Sequence, residues 1–372
     1  MSTTQADPTQ VSELQTMIAD SVDRLFAEQV TPELQKAFDH GDLTGSQKLF
    51  GLATELGLDR ALVPAEADGS GATWSEAYPV FRALGHSQAP VPLAETMIAA
   101  LLCARAGIAL PEAGDGALTL IDANHAPGLT LAGNRINGTA LGVPWARAAS
   151  HAVVCSADRI ALVNLRQAGV RIDPDVNLAN EPRDTVHCTA AAVLAEAPRP
   201  FAQLNEPVWM FGALARAVML VGALEAALAT AVEHANTRVQ FGKPLGKQQA
   251  IQQQLGELAG MIGAARMAAK IACTSAPVDA TPCPAFAFDL AVAKVRAGEA
   301  ATRATNVVHQ VMGAIGFTQE HHLHFTTRRL WSWRSEFGSD ADWAAVLGKA
   351  AITAGPGGFW NMLTTRALAS TD

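Results

Sequence analysis

Two short segments, Arg238-Val-Gln-Phe-Gly-Lys-Pro-Leu245 and Gln310-Val-Met-Gly-Ala-Ile-Gly-Phe-Thr318, close off long Ala-rich stretches whose apolar residues recur at helical spacing. Outward from them, Phe211–Thr237, Gln249–Ser275 and Ala285–Met312 each hold that period for about seven turns, which predicts an up-and-down helical bundle. At 1.5 Å per residue such helices approach roughly 40 Å. Their abundant Ala and Gly allow neighbours to approach closely. The surplus of apolar surface predicts that bundles pack against one another in an oligomer.

The period changes upstream. From 116 to 200 the apolar runs are short: Ala117–Ile121, His151–Cys155, Arg159–Val163 and Val170–Asp173, with an Asn137-Gly138 turn among them. No helix-period segment separates these runs, so a small antiparallel sheet or barrel is expected rather than βαβ units. Before it, Val11, Leu14, Met17, Ile18, Val22, Leu25 and Phe26 fall at three- and four-residue steps, one apolar helix face. Pro64, the turn at Asp68–Ala72 and Pro90-Val91-Pro92 divide the rest of this part into short helices. The expected fold is α+β and mostly α: an N-terminal helical domain (1–115), a middle β domain (116–200) and a C-terminal four-helix bundle (201–372).

Composition narrows the function classes. Hydrophobic content of 49% with 17% charged residues describes an ordinary globular protein. Arg216 and Glu225 interrupt the most apolar stretch, so no membrane span is expected. No basic segment leads into an apolar block at the N-terminus, and a cytoplasmic location is expected. The five cysteines (Cys103, Cys155, Cys188, Cys273, Cys283) lack zinc-ligand spacing and read as reduced thiols, with no metal. A net charge of -8 argues against nucleic acid as a partner.

The two bracketing motifs offer chemistry that suits an anionic dinucleotide held between subunits. A guanidinium such as Arg238 matches a pyrophosphate bidentately, and Gly313 and Gly316 let backbone N–H groups approach phosphate or ribose. The plainer reading is equally open: Arg238 complements a helix dipole, and the glycines cap a helix.

Together, R-x-x-F-G and Q-x-x-G-x-x-G-F resemble the acyl-CoA dehydrogenase family of flavoproteins. Glu55-Leu-Gly-Leu58, Val63-Pro-Ala-Glu66 and Arg82-Ala-Leu-Gly85 are similar to its N-terminal pattern. The resemblance covers nearly the whole chain. It implies FAD as cofactor, held by Arg238, Phe241, Gln249, Gln310, Gly313 and Gly316, and an acyl-CoA oxidised at Cα–Cβ to a trans-2-enoyl-CoA. It also implies electron transfer to an electron-transfer flavoprotein.

The chain departs from the family where proton abstraction belongs. The family's glutamate stands either in an E-G-T motif after the glycine turn or early in the helix ending at R-x-x-F-G. Here those positions hold Ser335 and Gly212, with Glu336 one residue after the first and Glu206 before the second. Glu336 is the candidate base, set against a solvated carboxylate in a capping turn. The segments expected beside the flavin ring are replaced by Leu118–Asn124 and Gly142–Ala149, and Gln248 and Ala314 depart from the family's F-Q pair and glycine turn. Two assemblies fit: a homo-oligomeric dehydrogenase with a relocated base, or a heterotetramer in which a glutamate-bearing homologue supplies it. A flavin-free scaffold is the third. His321, His322 and His324 diverge too much for a metal. Trp331, Trp333, Arg328, Arg329 and Arg334 suit either CoA binding or packing.

Overall fold

The computed structural model describes residues 12–112, 114–240 and 242–368, so Val11 and Phe241 lie outside the described residues. Helices α1 (Glu13–Gln29), α2 (Pro32–Asp39), α3 (Thr44–Glu55), α4 (Trp74–His86) and α5 (Leu93–Arg105) form the first part. Ser12 caps α1, accepting from the Gln15 N–H at 3.1 Å and donating to Glu76 at 2.8 Å. Glu76 in turn completes a capping box with Thr73, so one carboxylate ties together the starts of α1 and α4.

Eight strands follow: β1 (Ala117–Asp122), β2 (Thr130–Ala132), β3 (Arg135–Pro144), β4 (Ala149–Cys155), β5 (Arg159–Asn164), β6 (Val170–Asp173), β7 (Arg183–Ala192) and β8 (Ala195–Pro198). They make two four-stranded sheets, β1-β4-β5-β8 and β2-β3-β7-β6. Ile121, Val154 and Val163 of one sheet pack on Ile136, Val143 and Val186 of the other. The first sheet's other face, with Leu118, Leu120, Val153 and Ile160, joins the helical core. Burial on both faces explains its continuous apolar runs.

Two details correct the expectation of a purely antiparallel sheet. β1 pairs with β4 in parallel. Asn137-Gly138 is not a turn: it lies inside β3, where the register slips between Ile136 and Gly138. Gly138 takes φ +116° and a Cβ there would stand 2.1 Å from the Gly128 carbonyl oxygen, so this glycine serves a bulge and a close backbone crossing.

The last part holds α6 (Pro207–Thr237), α7 (Gln249–Ser275), α8 (Phe286–Met312), α9 (Leu323–Ser335) and α10 (Asp340–Thr365). α6 is the axis of the molecule, with α4 on one side and α7, α8 and α9 on others. It is long and apolar enough to cross a membrane, yet 83% of that window is buried inside this fold, as a core helix. Gly85 on α4 and Gly222 on α6 make the crossing close: added Cβ atoms would stand 1.9 Å from the Met219 carbonyl oxygen and 2.0 Å from that of Arg82. α10 packs along α8, kinks at Gly355-Pro356, and leaves Ile352 and Trp360 exposed.

Candidate active site

The turn between α9 and α10 builds the site. After Ser335 the chain becomes extended at Glu336, turns left-handed at Phe337 (φ 54°) and Gly338 (φ 87°), and restarts at the Ser339/Asp342 capping box. This reversal carries the Glu336 side chain inward, where it is not the solvated capping carboxylate of the plainer expectation. Arg183 on β7 donates to it from Nε and Nη2, each at 2.9 Å, Arg216 on α6 from Nε at 2.6 Å, and Asn177 at 3.0 Å.

The ion pairs continue on both sides. Arg216 also pairs with the buried Glu95 of α5. Glu181 takes Arg183 and Arg329, each at 3.2 Å, and the Trp333 indole N–H at 2.8 Å. Three carboxylates and three guanidinia thus form one buried chain joining α5, α6, β7 and α9. Burial by itself would raise the Glu336 pKa, but the charges of Arg183 and Arg216 outweigh it and hold the carboxyl at about 2. A carboxylate that weakly basic, with every lone pair engaged, is a poor acceptor for a carbon-bound proton.

Lys294 of α8 finishes the turn, donating to the Glu336 carbonyl at 2.8 Å and to that of Arg334 at 3.3 Å. Burial pushes its ammonium down to about 7. Phe337 lies over Gly212, where a Cβ would meet its ring at 2.5 Å. The ring stands edge-on to Trp209 at 6.0 Å and 5.6 Å from the Arg216 guanidinium carbon. Neither expected base position offers a carboxylate: Gly212 is covered by an aromatic ring, and Ser335 is exposed at the rim of the adjacent cavity with only a hydroxyl.

A cavity of about 300 Å³ opens beside this turn, between the end of β1, the middle of β3 and the start of α6. Glu336 and Arg183 border it but satisfy each other. Its other titratable pair is His125, stacked on Trp209 at 4.0 Å, with Nδ1 3.3 Å from Asp122 Oδ2. That carboxylate oxygen is buried and has no hydrogen-bond partner of good geometry. Nothing in the linear sequence marked His125, Asp122, Arg183, Glu181 or Glu95. Arg216 was visible as a charge in an apolar helix, the usual sign of a buried ion pair.

The motif residues lie elsewhere. Arg238 caps the C-terminus of α6, Gln249 begins α7 and Gln310 ends α8, so all three share one end of the bundle and all are exposed. Gln310 accepts from Gln254 at 3.3 Å, and among the described residues no carboxylate pairs with Arg238. Gly313 takes φ 62° with open space at its Cβ position, whereas Gly316 is buried and a Cβ would stand 2.8 Å from Met312. Gly316 is thus required by packing, and Gly313 borders the exposed face. These groups fit an anionic dinucleotide: a guanidinium without a carboxylate partner among the described residues, exposed amides and a glycine with open space at the turn. In the Trp–Arg segment Trp333 and Arg329 pack inside, Arg328 pairs with Asp39 and Arg334 with Asp340, and Trp331 is exposed under the Arg334 guanidinium.

The acyl-CoA dehydrogenase N-terminal and C-terminal domain models match residues 12–109 and 208–342. The chain belongs to the acyl-CoA dehydrogenase family. It is 29% identical over 332 residues to the acyl-CoA dehydrogenase FadE27 of Mycobacterium tuberculosis, covering 82% of this chain and 87% of that one. It is 27% identical over 323 residues to IpdE2 of the same organism, covering 84% and 89%. Among solved structures it shares its fold with the ChsE4-ChsE5 complex of Mycobacterium tuberculosis, with a TM-score of 0.80, 22% identity and coverage of 94% of this chain and 100% of that one. The Tcur3481-Tcur3483 steroid ACAD gives 0.80, 24%, 93% and 99%. The family comprises FAD-binding oxidoreductases acting on CH–CH bonds.

Proposed function

We propose that this chain is one subunit of a heteromeric, FAD-dependent acyl-CoA dehydrogenase, and that a glutamate-bearing homologue supplies the base. The assembly oxidises an acyl-CoA thioester at Cα–Cβ to a trans-2-enoyl-CoA and passes electrons to an electron-transfer flavoprotein. The carrying observation is Glu336: its carboxylate is committed to Arg183 and Arg216, and no other carboxylate stands at either expected position.

Geometry supports the shared flavin site. The cavity lies at the start of α6 and Arg238 at its end, separated by 31 helical residues, or roughly 45 Å. A single dinucleotide does not reach both, so Arg238 fits a flavin that belongs mainly to a neighbouring subunit. Bound there, FAD would accept the hydride from Cβ. Arg238 would hold its pyrophosphate and the Gly313 turn would admit it without steric obstruction. The ChsE4-ChsE5 complex and the Tcur3481-Tcur3483 steroid ACAD, which share this fold, each pair two components, which favours the same reading, and the likeness to a steroid ACAD favours a bulky acyl group.

One observation favours a second reading, a self-sufficient dehydrogenase. His125 and Asp122, 3.3 Å apart and both lining the cavity, are titratable groups not committed to the ion network. One experiment separates the two. The chain is assayed with FAD, an artificial electron acceptor and an acyl-CoA panel, alone and after co-expression with a glutamate-bearing homologue. The proposal expects turnover only with the homologue. Turnover by the isolated chain that His125→Asn abolishes, with folding retained, selects the second reading.

A further inference from the structure

A second cavity, of about 500 Å³, opens at the start of β1, the opposite end of that strand from the site above. Phe50 of α3, Leu118 of β1 and Trp145 after β3 give it an apolar floor. One wall is α3 and the turn that follows it, and this wall carries polar groups without partners. The Ser46 hydroxyl is buried, with the residue 3% exposed, and has no hydrogen-bond partner, nor has the Thr54 hydroxyl. Asp59, 8% exposed, meets no side-chain donor among the described residues.

Burial raises the Asp59 carboxyl above its ordinary value, and only the Arg60 charge and nearby backbone N–H groups oppose this. Arg60 donates to the Pro111 carbonyl at 2.7 Å, and the ionisable residues lining the cavity are Glu55, Asp59 and Glu112 against Arg60 and Arg166. Buried polar groups are ordinarily satisfied, and two unsatisfied hydroxyls beside a buried carboxylate that only backbone N–H groups meet, all on one wall of a concave, apolar-floored space, mark a place built for a ligand. An ionised carboxyl only accepts, and a protonated amine only donates, so a cationic head completes Asp59 where a carboxylate would be repelled.

We infer that this cavity binds a small apolar primary amine, its ammonium on Asp59 and its hydrocarbon body on Phe50, Leu118 and Trp145. The site shares no residue with the proposed catalytic region, and its failure would leave that reading untouched. The test is calorimetric titration of the full chain with hexylamine, hexanol and hexanoate, with Asp59→Asn as the variant. Hexylamine is expected to bind about tenfold more tightly than hexanol, the worth of one charge-assisted hydrogen bond, and Asp59→Asn to erase the difference. Equal binding of amine and alcohol, equal or tighter binding of hexanoate, or an amine preference that survives Asp59→Asn overturns the inference. Should the variant fail to fold, the wild type still decides. Amine affinity must fall as Asp59 is protonated at low pH while hexanol affinity holds, and a flat profile for both overturns it.

Discussion

Replacing Glu336 by Gln removes one negative charge from a buried chain of alternating ions while keeping the side chain's shape. Glu336 accepts four hydrogen bonds, two from Arg183, one from Arg216 and one from Asn177. The amide retains one acceptor oxygen and turns an N–H₂ group toward a guanidinium. Holding the carboxyl at about 2 instead of its ordinary 4.5 corresponds to about 3 kcal/mol of folding free energy. Breaking a buried pair from one side independently suggests about 3–5 kcal/mol. With an unfolding entropy of about 2 cal/mol/K per residue over 372 residues, 3 kcal/mol lowers Tm by about 4 °C.

The pH dependence identifies the cause. A carboxyl whose folded pKa is depressed contributes its full stability above the unfolded pKa and loses it as pH falls through the folded value. The gap between wild type and Glu336→Gln is therefore full at pH 7 and shrinks to about 2 kcal/mol at pH 3.5. Differential scanning calorimetry at both pH values is the assay. Equal Tm values at pH 7, or a gap that does not shrink on acidification, refutes the assignment of Glu336 as a charged anchor.

Other consequences are as direct. Gly85→Ala places a methyl 1.9 Å from the Met219 carbonyl oxygen and forces α4 and α6 apart, so it should cost about 3 kcal/mol or more, read by chemical denaturation, whereas Gly51→Ala, with open space around it, should cost nothing measurable. Arg238→Ala should leave Tm of the isolated chain within about 1 °C, since Arg238 is exposed, but lower the flavin content of the co-expressed complex; undiminished flavin absorbance removes Arg238 from the cofactor site. Lys294, held near 7 against an ordinary 10.5, binds its proton more weakly folded than unfolded, so stability should rise from pH 7 to 9 by about 2–3 kcal/mol; Lys294→Met should flatten that rise, and an unchanged slope would show that another group titrates.

How much of this was legible follows from the range of each interaction. The long helices were, because amphipathic period is a local property: Gln249–Ser275 is both the expected and the observed span of α7. β7 was not, because Arg183-Asp-Thr-Val-His-Cys carries no clean alternation; its Arg183 and Asp184 are buried against partners distant in sequence. Asn137-Gly138 misled for the opposite reason, since a dipeptide suited to a tight turn also suits a bulge, and only the proximity of Gly128 distinguishes them. At the site, the absence of a glutamate at Ser335 and Gly212 was plain in the sequence. The fate of Glu336 was not, because its three principal partners, Arg183, Arg216 and Lys294, lie 153, 120 and 42 residues away.

The ion network bears on whether Glu336 can serve as a base. A catalytic carboxylate must accept a proton during turnover, so its site has to tolerate both charge states. The Glu336 site tolerates only one: protonation would leave three buried guanidinia, Arg183, Arg216 and Arg329, with only Glu95 and Glu181 to offset them. Arg216 is itself held cationic by Glu95 and Glu336 against the cost of its burial. What the turn after α9 gains in exchange is rigidity, since one carboxylate fixes α6, β7 and the α9–α10 reversal in a single geometry. A chain that abstracted a proton through Glu336 would have to dismantle that anchor on every cycle.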